Sequence, residues 1–308
     1  MRWSAIWAAV VLLGLGMMLC SYYGFQGPQI TANAALVNQL KESAGSGGDT
    51  PSTSDRPDKS KLFSEATRVP LAPFELYLCG QALLLLGCSA LAIRLYGFLS
   101  TRVQARFLAE PLKEIERRKR LLIGLHVVLF GGMILVSQIA YFLPDVQRQF
   151  LTLIGRSVRS GVGPLGVAGS AYLSKSIPRA AAVTLFINFT LGSLITITLP
   201  SLIAPGIGVL FTAFRFVLWG LLLCPSIASL SGTMLPHTFT LFAEGEGYIL
   251  AAFLASLVPI YLFDRSAGTS SGERYGKAFL LNAGGSFWVL IVIAIAAIYE
   301  AIEVIAQI

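Results

Sequence analysis

The sequence predicts an all-α fold: a polytopic helical membrane protein with about seven transmembrane helices, an interfacial amphipathic helix and a re-entrant loop. Three observations carry this reading. Of 308 residues, 55% are hydrophobic and 13% charged, whereas a soluble domain carries about twice that share of charge. The mean hydropathy is +0.71. The apolar residues also fall in continuous runs long enough to cross a hydrocarbon core of ~30 Å, which takes about 20 residues of helix. Strands of a membrane barrel would alternate instead.

The runs cover residues 4–23, 73–96, 121–143, 180–199, 206–224, 243–263 and 278–299. The first follows Arg2 and ends in the bulky Met17-Met-Leu-Cys-Ser-Tyr-Tyr23. Lacking a small-residue cleavage pattern, residues 1–26 read as an uncleaved membrane anchor helix. Residues 27–72 differ in chemistry: Ser43 to Ser60 is rich in Gly, Ser, Thr, Pro and Asp, with no large apolar residue. That composition predicts a disordered extracytoplasmic linker. Residues 73–120 hold the second transmembrane helix and a basic cytoplasmic loop, and residues 121–308 a five-helix membrane core.

The net charge of +7 is not a nucleic-acid signal, because the basic residues gather beside the apolar runs, densest at Arg117-Arg-Lys-Arg120. Such residues orient a chain and meet anionic lipid, so the lipid bilayer is the expected partner and nucleic acid is not. With the N-terminus inside, residues 97–120 (seven Lys/Arg) and 264–277 are cytoplasmic. The C-terminus is then extracytoplasmic. Basic totals on the two sides nearly tie, so the density in the short loops decides. Cys20, Cys79, Cys88 and Cys224 lie in or beside apolar runs without a CxxC pair, which predicts neither a disulfide framework nor a zinc ribbon.

Residues 145–159 are too polar to span. Val146, Phe150, Leu153 and Ile154 share one helical face and Arg148, Arg156 and Arg159 the other, the pattern of a helix lying in the interface. Gly161-Val-Gly-Pro-Leu-Gly-Val-Ala-Gly169 is then expected to break any helix, and Pro200 to Gly206 to make a tight turn. Residues 225–242 are apolar and hydroxyl-rich, with His237 the only side chain able to carry charge. A solvated loop would be more polar, so a re-entrant segment shielded by protein is expected there.

Arg215 stands alone in the apolar run Ile207 to Cys224. A charge near the bilayer centre costs at least ~2.5 kcal/mol and persists where it finds a partner, a cavity or a task. The expected intramembrane polar core comprises Arg215, His237, Glu244, Glu246 and Asn188, with Arg215 paired to Glu244 or Glu246 or satisfied by backbone carbonyls or Asn188. Glu244 and Glu246 at a helix start suit the macrodipole, but Glu300 and Glu303 near a helix end do not. The latter two are either solvated tail residues or an outer acidic cluster shared with the first pair. His237 reads as a metal ligand, a proton relay or a hydrogen-bonding residue. The other histidine, His126, lies in the third run and shares no HExxH spacing with it. Asn188, Gly192 and Thr196 fall at i, i+4, i+8, and Asn282 precedes Gly284-Gly-Ser286; both sets read as close helix packing. No catalytic, cofactor-binding or metal-binding set is expected, and without a P-loop any ATP-driven transport needs a separate subunit.

Four stretches resemble the stage II sporulation protein M family of integral membrane proteins: Thr184-Leu-Phe-Ile-Asn-Phe-Thr-Leu-Gly192, Pro205-Gly206, Leu218-Trp-Gly-Leu-Leu-Leu223, and Leu235-Pro-His-Thr-Phe-Thr240 followed by an acidic residue. The resemblance covers about residues 121–305. It departs at Asn188-Phe189, where the family carries paired asparagines, at Arg215, and at Glu244, seven residues after His237. The resemblance implies a non-catalytic scaffold of the bacterial cytoplasmic membrane that assembles partner proteins, such as cell-wall-remodelling enzymes, and is open to homo-oligomerisation. The alternative is a transporter or permease subunit with a polar path around Arg215, His237, Glu244 and Glu246. An intramembrane metal or serine hydrolase is a third class.

Overall fold

The computed structural model describes residues 4–22, 25, 68–264 and 269–307. The linker expected at 27–72 lies outside the described residues up to position 67. Residues 68–72 are held: Val69 N–H donates to Ser226 O (3.0 Å), and helix begins at Leu71.

Among the described residues ten named helices follow in order. They are α1 (Ser4–Tyr22), α2 (Leu71–Arg102), α3 (Arg106–Arg117), α4 (Lys119–Phe142), α5 (Pro144–Ser160), α6 (Gly163–Leu173), α7 (Ile177–Ile203), α8 (Ile207–Leu222), α9 (Ala228–Phe263) and α10 (Ser271–Gln307). No strand occurs among the described residues, only an isolated bridge between Arg68 and Ile227. Six helices (α1, α2, α4, α7, α9 and α10) are long and apolar enough to cross a membrane. The remaining run, the fifth (206–224), forms α8, which has 16 residues. At 1.5 Å per residue it measures about 24 Å, short of the hydrocarbon thickness.

α9 is the centre of the bundle. Its side chains from Tyr248 to Ala255 are almost wholly inaccessible, because neighbours cover every face of that stretch. α10 runs antiparallel beside it, and Asn282 donates to Leu254 O (2.9 Å) across the pair. α1 packs antiparallel on α2 where Gly14 faces Gly80: a Cβ at Gly14 would meet Gly80 O at 2.6 Å. Small residues are what let two membrane helices approach that closely.

One end of the bundle carries the denser set of basic residues. Arg94 meets Ser4 there, Arg118 and Lys277 stack on Tyr261, and Tyr275 donates to Leu202 O. At this end the expected loop 97–120 contains α3, whose Ala109, Leu112 and Ile115 are buried while its Arg and Lys face outward. Trp288 of α10 clips it by donating to Leu108 O (2.9 Å).

At the opposite end lies the helix read as interfacial, α5, with Val146, Phe150 and Leu153 exposed. Gln147 pins it: its amide donates to Leu222 O (3.2 Å) and Cys224 O (2.7 Å), and Ser226 donates to its oxygen. Gly161 ends the helix in the left-handed region at φ 68°. The glycine-rich stretch after it does not stay irregular, as expected, but forms α6. Pro164 sits in its first turn, where a missing N–H costs nothing.

Residues 225–242 likewise differ from expectation. From Ala228 they belong to one continuous helix of 36 residues with the sixth run, rather than to a separate re-entrant element. The physical reason is that the hydroxyls of Thr238 and Thr240 find partners within the fold. Thr238 donates to Met234 O (2.8 Å), one turn back, and Thr240 reaches across to α10. A hydroxyl-rich helix satisfied in this way needs no solvent.

Candidate functional site

The structure places the polar residues in two clusters on opposite faces of α9. The larger lies toward the α5–α6 end. A cavity of about 370 Å³ opens there between α5, α6, α7, α8, α9 and α10, lined by Tyr172, Thr184, Asn188, His237, Glu244 and Glu300 among apolar side chains.

Several of these polar side chains, and those behind them, are held by identifiable partners. His237 Nδ1 lies 3.3 Å from Glu303 Oε1, and Thr240 donates to Glu303 Oε2 (2.6 Å), so Glu303 is buried and bonded rather than a solvated tail residue. Tyr299 donates to the Pro236 carbonyl (3.2 Å), bracing the turn that carries His237. The Tyr172 and Thr184 hydroxyls share a 2.7 Å hydrogen bond at the cavity wall. Burial, and then the Glu300 carboxylate beside it, push the Tyr172 phenol well above its ordinary range, so it remains a neutral hydroxyl.

Arg215 sits at the inner edge of this cluster. Among the described residues, no carboxylate lies within 4.0 Å of it. Its guanidinium instead stacks on the face of Tyr248, 4.1 Å from Cζ to the ring centroid. A desolvated cation–π contact of this kind is worth about 2 kcal/mol. The charges that act on Glu244 are those of Glu300, Arg215 and His237, so Glu244 and Arg215 share one electrostatic environment without direct contact.

The close approach depends on Gly192. A Cβ there would stand 2.7 Å from Tyr248 Oη and 2.8 Å from Arg215 Nη1. Gly192 belongs to a π-helical stretch, Phe186–Thr198, in the middle of α7. Thr196 Oγ1 bonds Leu191 O, five residues back (2.6 Å). The wider π turn changes the phase of the expected Asn188, Gly192, Thr196 line, and π segments recur at functional sites. Asn188 reaches the cavity wall, and its carbonyl faces the Tyr248 hydroxyl at 3.5 Å.

Glu246 does not join this group. Two residues beyond Glu244 on α9, it is buried against α4 and α2, where His126 Nε2 lies 2.7 Å from Oε2 and Tyr96 donates to Oε1 at 2.8 Å. Between the two carboxylates, Gly245 packs flat against the rings of Phe130 and Phe216, which meet edge to face at 5.3 Å. Of the polar core read from the sequence, His237, Glu244 and Asn188 therefore line one cavity together with Glu300, while Arg215 does not line it but stacks on Tyr248. Glu303 sits behind His237, and Glu246 is on the other side of an aromatic partition.

The residues not foreseen are His126 and Tyr96, and the tyrosines Tyr172 and Tyr248. A histidine inside an apolar run was itself a signal, since ionisable residues within membrane spans are rarely idle. Among the described residues no group of three or more His, Cys, Asp and Glu side chains is arranged to hold a metal ion. No family model, curated protein or solved structure matches this chain. The likeness to the sporulation family therefore rests on the quoted motifs alone.

Proposed function

We propose that this multi-pass membrane protein is a transporter or permease subunit whose solute path runs through the cavity around Arg215, His237 and Glu244. The observation that carries the reading is the cavity of about 370 Å³ in which ionisable side chains from α9 and α10 stand among apolar helices. Each such side chain costs ~2.5–3.5 kcal/mol to insert, which a bundle held only by packing has no need to carry. Glu244 and Glu300, flanked by His237, Tyr172, Thr184 and Asn188, suit a small cation or an amine-bearing solute. Arg215, turned onto Tyr248, marks the inner limit of that acidic lining.

The basic end, with α3, faces the cytoplasm in this proposal, so the cavity opens to the extracytoplasmic side of a bacterial inner membrane. α8, extended by the turn at 223–227, makes a seventh crossing and leaves the C-terminus outside. Any ATP-driven cycle would draw on a partner ATPase, and neither this nor the competing proposal involves catalysis.

The competing proposal is the non-catalytic scaffold implied by the sporulation-family likeness, with lipid, extracytoplasmic proteins or a second copy as partners. One observation favours it: α5 presents Val146, Phe150 and Leu153 on its exposed side. In that proposal the polar cluster only pins α9 to α10. Reconstituted proteoliposomes separate the two, using a panel of labelled monovalent cations, divalent cations and primary amines. Saturable uptake of one class supports the transporter. Absence of uptake, with an extracytoplasmic protein crosslinked to α5, supports the scaffold.

A further inference from the structure

The second cluster, on the other face of α9, has a separate approach from the basic end. A cavity of about 460 Å³ lies between α1, α2, α3 and α4, with Arg94, Glu116 and Lys119 toward its mouth and Ser89 and His126 at its inner end. A smaller space of about 180 Å³ continues along Ser89, His126 and Phe130 as far as Ile134. Ser89 is 4% exposed, and among the described residues its hydroxyl has no partner. A buried hydroxyl is almost always hydrogen-bonded, and a roomy cavity with several polar groups is where water supplies the missing bond.

The hydrogen-bond geometry at the inner end fixes a proton count. The Leu122 carbonyl can only accept, so the His126 Nδ1 that lies 2.8 Å from it carries a hydrogen. Tyr96 supplies its own proton to Glu246 Oε1. The remaining contact, His126 Nε2 to Glu246 Oε2, is 2.7 Å. Two lone pairs do not approach so closely without a hydrogen between them. One proton is therefore shared by the pair, as imidazolium with carboxylate or as imidazole with carboxylic acid, and either way the pair is neutral overall. The other ionisable groups that face it are Cys88 and Tyr96 of α2, with Arg94, Glu116 and Lys119 farther out.

We propose that His126 and Glu246 form a single-proton binding site, reached by water from the basic end through the cavity at Ser89, and that the structure holds the proton-loaded form. Release is balanced: the shared proton leaves through water, and neutral imidazole with Nδ1–H and a carboxylate remain. These two acceptors then oppose each other across the α4–α9 contact, which must open or take in water. Loading thus locks α4 to α9, and unloading frees them. The site differs from the outer cavity and stands whether or not that cavity moves a solute.

The chain has two histidines, so nitrogen-15 histidine NMR of the full-length protein in phospholipid nanodiscs tests this directly. His237→Gln leaves His126 as the one ring to be read. The expected result is an Nε2 signal that moves reversibly between protonated and unprotonated positions with pH while Nδ1 stays protonated. In Glu246→Gln, Nε2 should remain unprotonated over the same range. Ser89→Leu, which fills the approach, should slow exchange of the shared proton with water by about tenfold or more. An Nε2 signal identical at every pH at which the protein stays folded would overturn the proton site. A signal that moves, but exchanges as fast in Ser89→Leu as in the wild type, would overturn the route.

Discussion

Glu244 and Glu246 stand two residues apart on α9 and serve opposite faces of it: Glu244 lines the outer cavity, and Glu246 bonds His126 on α4. Two residues of α-helix turn a side chain through about 200°, so this divergence follows from helical geometry. Gly245, packed against Phe130 and Phe216, keeps the faces apart. α9 thus carries one carboxylate on each of two opposite faces at the same level of the bundle.

Glu246→Ala should destabilise the protein more than Glu246→Gln. The alanine leaves the buried His126 ring nitrogen and the Tyr96 hydroxyl without their partner, at about 1–3 kcal/mol for each group left unsatisfied. Glutamine keeps a bond to each. Thermal melts in mild detergent should therefore place alanine lowest, glutamine between, and wild type highest.

Gly192→Ala should push Arg215 and Tyr248 apart, because the new methyl would stand under 3 Å from both. The expected loss is about 1–3 kcal/mol, the usual cost of overpacking. Gly124→Ala on α4 is the control: nothing lies within 4 Å of its Cβ position. Its melt should match the wild type to within about 1 kcal/mol.

Tyr248→Phe should cost only about 1 kcal/mol, since it keeps the ring face beneath Arg215 and loses just the hydroxyl's bonds to Glu244 and, at 3.5 Å, Asn188 O. Tyr248→Leu removes the face itself and should cost about 2–4 kcal/mol through the lost cation–π contact and core volume. Equal melts for the two variants would show that the stacking contributes nothing.

Gln147→Ala should release α5 from the turn at 222–226, because three hydrogen bonds meet at that one amide. Hydrogen exchange across residues 144–160 should rise while α9 stays protected. A uniform rise across the bundle would instead mean that α5 is integral to the core.

The membrane class, the position of most spans and the amphipathic α5 were legible because they depend on local hydrophobic pattern. Composition misled at two places for related reasons. The apolar, hydroxyl-rich stretch up to 242 resembles a re-entrant segment until it is seen continuous with the sixth run, with Thr238 and Thr240 bonded within the fold, and the glycines of 161–169 resemble a breaker until Pro164 starts a helix. Arg215 could be singled out from its cost alone, but its partner could not. Tyr248 lies 33 positions away, and whether a ring or a carboxylate meets the guanidinium depends on the rotation of α9 and the π turn of α7. The same rotation separates Glu246 from Glu244, so their joint pairing with Arg215, natural from spacing, does not form.

The measurement that bears most directly on the central claim is solute flux into proteoliposomes containing wild-type protein or Glu244→Gln, matched for melting temperature and amount. Saturable wild-type uptake of a small cation or amine is expected, reduced at least about tenfold in the variant. Equal flux in the two, or none from a folded wild type against the whole panel, would contradict it.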